Sequence, residues 1–310
     1  MITGLMSGIF WGLDTVILGI ALSMPVFNEG PDIIYFAPFI STFWHDLSSA
    51  FWLTIYMISK KQYKLFFYAI KSKAGKYIIF AAIFGGPIGM SCYLIAIKNI
   101  GPGYTAVISS MYPALGAFLA HIFLKEKMNM VQIAGLILAT VGVIALGYSG
   151  QNYIYSDFTI GFISAILCCL GWASEAVICA YGMKGPEVGN EQALQIRQFT
   201  SSIVYLFIIV FLVKNTELTF KMFNTMELKY IIVAAFFGTI SYLFYYKAII
   251  KLGASKAMPL NITYSSWAIL FSMFLLNIIP DLKTIFCGIV IIIGSLLAAT
   301  DIYKIFGIKS

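Results

Sequence analysis

The chain has 310 residues, of which 60% are hydrophobic and only 11% charged, and its formal net charge is +7. Soluble domains carry about 25% charged residues, so this composition excludes a soluble globular fold and predicts a chain built into a lipid bilayer. In such a chain the excess of Lys indicates membrane topology rather than nucleic-acid binding.

Ten apolar runs follow one another along the chain, each close to the length that a helix needs to cross a bilayer. Their approximate bounds are 3–23, 33–58, 77–98, 102–124, 130–148, 158–181, 191–213, 229–250, 254–278 and 283–303. The two longest connections, 59–76 and 214–228, carry charge. None of the runs has the pattern of a barrel strand, so we predict an all-α integral membrane protein with ten transmembrane helices.

The distribution of Lys predicts the orientation. Fourteen Lys fall on one side of the predicted spans and five on the other. Because positively charged loops stay in the cytoplasm, both termini are expected there. The first run lacks a basic leader and a cleavage site, and is therefore predicted to be a retained helix. The five Cys lie inside apolar runs without metal-ligand spacing, so we expect neither a disulfide nor a metal site.

Short motifs recur between the two halves of the chain. Residues 10–17 read FWGLDTVI and residues 171–178 read GWASEAVI, so a Trp is followed three residues later by an acid in each. At one constant offset, residues 45–49 match 197–201, and four further residues, Tyr93, Ala96, Gly101 and Tyr112, match Tyr245, Ala248, Gly253 and Tyr264. We predict two five-helix repeats, 1–148 and 158–303. Since five is odd, the second is inverted, a plan common in secondary transporters.

Five ionisable side chains lie within the apolar runs, where insertion of each charge costs about 2.5–3.5 kcal/mol. They are Asp14, His45, Asp46, Glu175 and Arg197. Such groups normally face the bundle interior, and Arg197 is expected to neutralise Glu175 or Asp46. With His45 neutral, the three acids and one Arg leave two negative charges, which favours a cationic substrate.

Aromatic side chains accompany these charges. A spacing of three places Trp11 beside Asp14, and Trp172 beside Glu175, on one helix face, so the two pairs can converge between the repeats. Further aromatic residues within the spans are Tyr93, Tyr112, Tyr242, Tyr245, Tyr246, Tyr264 and Trp267. Ring faces and a carboxylate are the groups that best hold a quaternary ammonium ion, which has no N–H to donate. Glycines and prolines at 85–89, Pro113 and Pro259 are candidate hinges.

These motifs together resemble the drug/metabolite transporter (DMT) superfamily in its EamA-type branch, over essentially the whole chain. Within it, the sequence is most similar to LicB-type bacterial choline transporters. The segments that carry the resemblance are SGIFWGL at 7–13, HDLSS at 45–49, GGPIGM at 85–90, GWASE at 171–175, IRQFTS at 196–201 and ISYLFYY at 240–246. The resemblance implies choline uptake across the bacterial cytoplasmic membrane, a central aromatic and acidic pocket, and coupling to protons.

We therefore predict a transporter, not an enzyme, that requires no cofactor and acts as a monomer or loose dimer. The predicted substrate-binding residues are Trp11, Tyr93, Tyr112, Trp172, Glu175, Tyr242, Tyr245 and Tyr264. The predicted proton-coupling and charge network is Asp14, His45, Asp46, Arg197 and Gln198, because His titrates near neutral pH. Three alternatives stay open: an exporter of amino acids, metabolites or drugs, a membrane enzyme acting on lipid head groups, and a passive channel.

Overall fold

A computed structural model describes residues 1–28, 31–109, 111–147, 157–214, 216–277 and 279–300. The fold of these residues is helical, with no strand among them, which confirms the predicted all-α membrane class. The helices of the first half are α1 (Ile2–Leu22), α2 (Pro31–Ser59), α3 (Tyr63–Lys71), α4 (Lys73–Ile83), α5 (Ser91–Ser109), α6 (Tyr112–Leu124) and α7 (Met130–Gly147). Those of the second half are α8 (Phe158–Gly182), α9 (Asn190–Phe207), α10 (Thr216–Lys221), α11 (Met226–Leu252), α12 (Ala254–Asn261), α13 (Tyr264–Leu276) and α14 (Leu282–Ala299).

Several of these helices join into longer spans. The π-helical turn Phe84–Met90 connects α4 to α5, and Ile208–Val213 extends α9. Among the described residues, seven stretches are apolar and long enough to cross a membrane: Ile2–Leu22, Lys73–Ala96, Phe158–Gly182, Asn190–Val213, Met226–Leu252, Ala254–Leu276 and Leu282–Ala299. The 29-residue α2 and the shorter apolar α6 and α7 are the helices that correspond to the other three predicted spans. The division at 1–148 and 158–303 stays a prediction, and residues 148 and 301–303 lie outside the described residues.

The structure differs from the sequence prediction in the connections. Residues 59–76 and 214–228 are not simply loops, since they contain α3 and α10, respectively. The expected break between residues 98 and 102 is also wrong, because α5 continues to Ser109. The helix instead restarts at Tyr112, with Pro113 in the first turn of α6. Proline suits that position because its missing N–H would have no helical partner there.

The two halves interleave rather than lying side by side. Helix α1 packs on α11 and α13, α8 packs on α5 and α6, and α2 packs on α9 and α11. Helices α7 and α14 approach closely at Gly135 and Gly294, where an added Cβ would meet the backbone of the partner helix. Small residues permit this close contact between membrane helices.

Glu126, which follows α6, connects the halves at one end of the bundle. Its carboxylate accepts hydrogen bonds from the backbone N–H groups of Ala254 (3.0 Å) and Ser255 (2.9 Å), and from the Ser255 hydroxyl (2.6 Å). Gly253, with φ of 87°, turns the chain there between α11 and α12. A Cβ at Gly253 would crowd the Glu126 carboxylate, so glycine is needed both for this φ and for the close approach.

Candidate substrate cavity and charge network

A cavity of about 50 Å³ lies between the two halves of the bundle. Helices α1, α6, α8, α11 and α12 contribute its walls, together with the end of the first π-helical turn. The lining residues are Trp11, Met90, Tyr112, Trp172, Glu175, Ala176, Ser241, Tyr242, Tyr245, Tyr246 and Asn261. A water needs roughly 10–15 Å³ of such space, so the cavity holds a few waters or a small organic group.

On the α1 side of the cavity, one aromatic ring lines the wall and a second ring stacks behind it. Trp11 stacks on Tyr264 of α13, with centroids 4.2 Å apart and an angle of 24° between the planes. Tyr264 itself does not line the cavity. The predicted wall residue therefore lies behind Trp11 and supports its indole.

The α8 wall repeats this arrangement with Trp172. The ring of Tyr112 meets the Trp172 indole edge to face at 5.7 Å, and the Tyr93 ring lies 5.3 Å away on a tilt. Tyr112 lines the cavity, whereas Tyr93, like Tyr264, stands behind the indole. Gly89 allows the π-helical turn to approach, because a Cβ there would press on the Trp172 ring.

Helix α11 presents three tyrosines to the cavity. Tyr242, Tyr245 and Tyr246 occupy positions i, i+3 and i+4, and their ring centroids lie 6.0–6.5 Å apart. All three line the cavity, as expected for residues on one helix face.

Where Tyr112, Ser241 and Asn261 line it, the cavity is polar. The Tyr112 hydroxyl donates to Asn261 Oδ1 (3.2 Å), and Asn261 Nδ2 donates to Ser7 Oγ (3.0 Å). Ser241 Oγ donates to the carbonyl of Ser7 (2.8 Å). An amide offers two donors and two acceptor lone pairs, so Asn261 keeps hydrogen-bonding capacity that these contacts do not use.

Glu175 is the acidic side chain of the cavity. Its Oε1 accepts a hydrogen bond from Arg197 Nε at 2.9 Å, and the Tyr246 hydroxyl lies 3.4 Å from the same oxygen. Gly85 makes room for this carboxylate, since an added Cβ would collide with it. Arg197 also donates to the Tyr242 hydroxyl at 3.2 Å, and its guanidinium carbon lies 4.7 Å from the centroid of that ring.

Arg197 connects the cavity to a second carboxylate, Asp46 of α2. Arg197 Nη1 lies 3.3 Å from Asp46 Oδ2 and 2.7 Å from Gln198 Oε1. The Ser201 hydroxyl donates to the same Asp46 oxygen at 2.5 Å. Gln198 in turn donates to Ser49 (2.7 Å). Arg197 was predicted to neutralise Glu175 or Asp46, and it contacts both.

His45 extends the network to Asp14. Its Nε2 lies 3.1 Å from Asp14 Oδ1, and its Nδ1 lies 3.3 Å from Asp46 Oδ1. A neutral imidazole has one donor nitrogen and one acceptor nitrogen. The contacts of His45 with Asp14 and Asp46 can therefore both be hydrogen bonds only when one extra proton is present. Either His45 then carries a proton on both ring nitrogens, or one of the two Asp side chains is protonated.

The structure brings the predicted residues together but divides them into layers. Trp11, Tyr112, Trp172, Glu175, Tyr242 and Tyr245 line the cavity, and Tyr93 and Tyr264 stand behind it. The expectation that both Trp–acid pairs meet at the cavity holds for Glu175 alone. Asp14 does not line the cavity; it is buried against His45 instead.

Four lining residues besides Tyr246 were absent from the predicted site: Met90, Ala176, Ser241 and Asn261. Asn261 had a sequence signal, since it is a polar amide within an apolar run, two residues after Pro259. Met90, Ala176 and Ser241 carry no distinctive chemistry. Their position follows from the packing of distant helices.

Comparison with known proteins identifies relatives of this chain. The EamA-like transporter family matches residues 1–148 and 159–300. Protein LicB of Haemophilus influenzae is 41% identical over 191 residues, which cover 61% of this chain and 63% of LicB. A WAT1-related protein of Arabidopsis thaliana is 27% identical over 127 residues, covering 34% of this chain and 32% of that protein. Both alignments span less than two thirds of the relative's length.

A protein of known crystal structure shares the fold, with a TM-score of 0.70 over 96% of both chains at 11% sequence identity.

Proposed function

Because the chain belongs to the EamA-like transporter family of the DMT superfamily, we propose that it imports choline or a related quaternary ammonium compound across the bacterial cytoplasmic membrane. The observation that carries this proposal is the convergence of Trp11, Trp172 and Glu175 on one cavity between the halves. The motif resemblance to choline transporters agrees with it.

The chemistry of the cavity suits a permanently methylated ammonium ion. Such an ion presents only C–H groups, which ring faces attract with about 0.5–2 kcal/mol each, while a carboxylate balances its charge. A primary amine would instead need several hydrogen-bond acceptors. The polar end, with the spare capacity of Asn261, suits a hydroxyl group on the substrate.

Proton coupling forms part of the proposal. The Asp14–His45–Asp46 group binds one proton, and Arg197 joins that group to the Glu175 carboxylate at the cavity. The network carries one net negative charge when the proton is bound and two when it is released. Binding of a cation beside Glu175 therefore changes the electrostatic balance at the proton site. With both termini in the cytoplasm, an inside-negative potential adds about 2.3 kcal/mol per charge per 100 mV to inward movement.

Uptake into proteoliposomes tests the function directly. Labelled choline should accumulate when the exterior is made acidic or the interior negative, and the uptake should saturate. Efflux of amino acids with no choline uptake would instead favour an exporter, and non-saturating flux that follows voltage alone would favour a channel. Release of a lipid head group by the purified protein would indicate an enzyme.

A further inference from the structure

A second, larger cavity lies on the flank of the bundle, away from the charge network. It is a groove of about 500 Å³ lined by residues of α2, α3, α9 and α11. Its lining is mostly apolar: Trp44, Leu47, Ser48, Ala50, Phe51, Thr54, Tyr63, Phe199 and Ile232. Phe51 is 59% exposed at its edge, so the groove opens toward the surroundings of the protein. Along α2 it extends from Trp44 to Thr54, or roughly 15 Å at 1.5 Å per residue.

Helix α3 closes one end of the groove. Tyr63 lines the groove, and Phe66 is buried with its ring 5.6 Å from that of Phe199, which docks α3 on α9. Lys64 and Lys71 are exposed on the same short helix. An amphipathic helix of this kind is typical of the boundary between the apolar core of a membrane and its head groups.

The segment that includes α3 carries only positive charge. Six Lys lie between residues 60 and 76, and no Asp or Glu occurs anywhere between residues 47 and 125. The three nearest to Tyr63 in the chain, Lys60, Lys61 and Lys64, are exposed and form no ion pair with a described acid. In the sequence these three Lys flank Tyr63, the α3 residue that lines the groove.

We propose that this groove is a binding site for an anionic phospholipid. One acyl chain would occupy the groove between Trp44 and Thr54, and the phosphate would lie against Lys60, Lys61 and Lys64. Lys side chains near a membrane surface attract anionic lipid head groups. This lipid site is distinct from the substrate cavity. The two share helices, because α2 and α9 line the groove and also carry Asp46 and Arg197.

Native mass spectrometry of the purified full-length protein tests the proposal. Titrations with phosphatidylglycerol and with phosphatidylcholine of identical acyl chains should show at least about tenfold tighter retention of phosphatidylglycerol. The variant K60Q/K61Q/K64Q should abolish this preference. The control K125Q/K127Q/K251Q removes the same charge from exposed Lys at the ends of α6 and α11, outside α2 and α3, and should preserve it. Equal retention of both lipids by the unaltered protein, or an unchanged preference in the first variant, would overturn the proposal.

A competition arm tests the role of the groove. Soluble glycerophosphoglycerol, which has the head group but no acyl chain, should not displace bound phosphatidylglycerol at equal concentration. Ala50→Leu places a larger side chain in the groove, so this variant should retain both lipids more weakly. Displacement by the soluble head group would reduce the site to a surface Lys cluster and contradict occupation of the groove.

Discussion

The Trp–acid motifs of α1 and α8 have the same spacing but place their acids differently. Trp11 and Trp172 both line the cavity, and each is backed by a tyrosine ring. Glu175 also lines it, whereas Asp14 is held away by His45. The two halves are therefore alike in their aromatic surface and unlike in their charge.

The partners of the two acids explain this difference. Asp14 meets His45 and Glu175 meets Arg197, and these two basic residues occupy matching positions in the motifs at 45–49 and 197–201. A His gains and loses a proton near neutral pH, while an Arg stays charged. One half thus holds its acid with a His and the other with an Arg. We propose that the first half binds the proton and that the second half balances the charge of the substrate.

The largest effect is expected from Glu175→Gln, which keeps the shape of the side chain and removes the cavity charge. Loss of the ion–ion attraction should weaken choline binding about 100-fold, or about 2.7 kcal/mol. Isothermal titration calorimetry measures the affinity of each variant for choline. Asp14→Asn is the matched control and should change affinity only a few-fold. An equal loss in both variants would contradict the assignment of substrate charge to one half.

His45→Gln is expected to have the next largest effect, on coupling. Without a titratable group between Asp14 and Asp46, uptake driven by a pH gradient should fall at least about tenfold, since acid–base groups of this type account for 10²–10⁴-fold effects elsewhere. Exchange of labelled for unlabelled choline at equal pH should continue. Gradient-driven uptake that survives in this variant would place the proton site elsewhere.

The aromatic walls should contribute equally. Trp11→Ala and Trp172→Ala should each weaken choline binding about tenfold, because a desolvated cation–π contact is worth up to about 2 kcal/mol. Trp52→Phe serves as the control, since Trp52 packs on Phe236 and does not line the cavity. Fluorescence quenching by choline reports the affinities. A large loss in only one Trp variant would show that the walls are not equivalent.

Gly85→Ala should have the smallest effect, by displacing Glu175 rather than removing it. The added Cβ collides with the carboxylate, so the variant should lose about 1–3 kcal/mol of stability and bind choline a few-fold more weakly. Gly19→Ala on α1 is the control, because nothing lies within 4 Å of its added Cβ. Thermal unfolding with and without choline measures both effects. Equal melting temperatures for the two variants would show that the π-helical turn Phe84–Met90 adjusts readily at Gly85.

Sequence reasoning succeeded where one helix face determines the result. Spacings of three and four placed Trp172 with Glu175, and Tyr242 with Tyr245, on faces that do meet the cavity. It failed where the outcome depends on a partner far along the chain. To predict the contact of His45 with Asp14, or the stacking of Tyr264 behind Trp11, one must know which helices touch. Asn261 was missed for the same reason, since its contact with Ser7 joins opposite ends of the sequence.

The contact of Glu126 with the start of α12 fastens the two halves of the chain together at one end of the bundle. Its three hydrogen bonds join a loop of one half to a helix start of the other, so separating the halves at that end must break all of them together. Doing so would also leave the N–H groups at the start of α12 without partners. A path between the halves at this end would open only after Glu126 releases the start of α12.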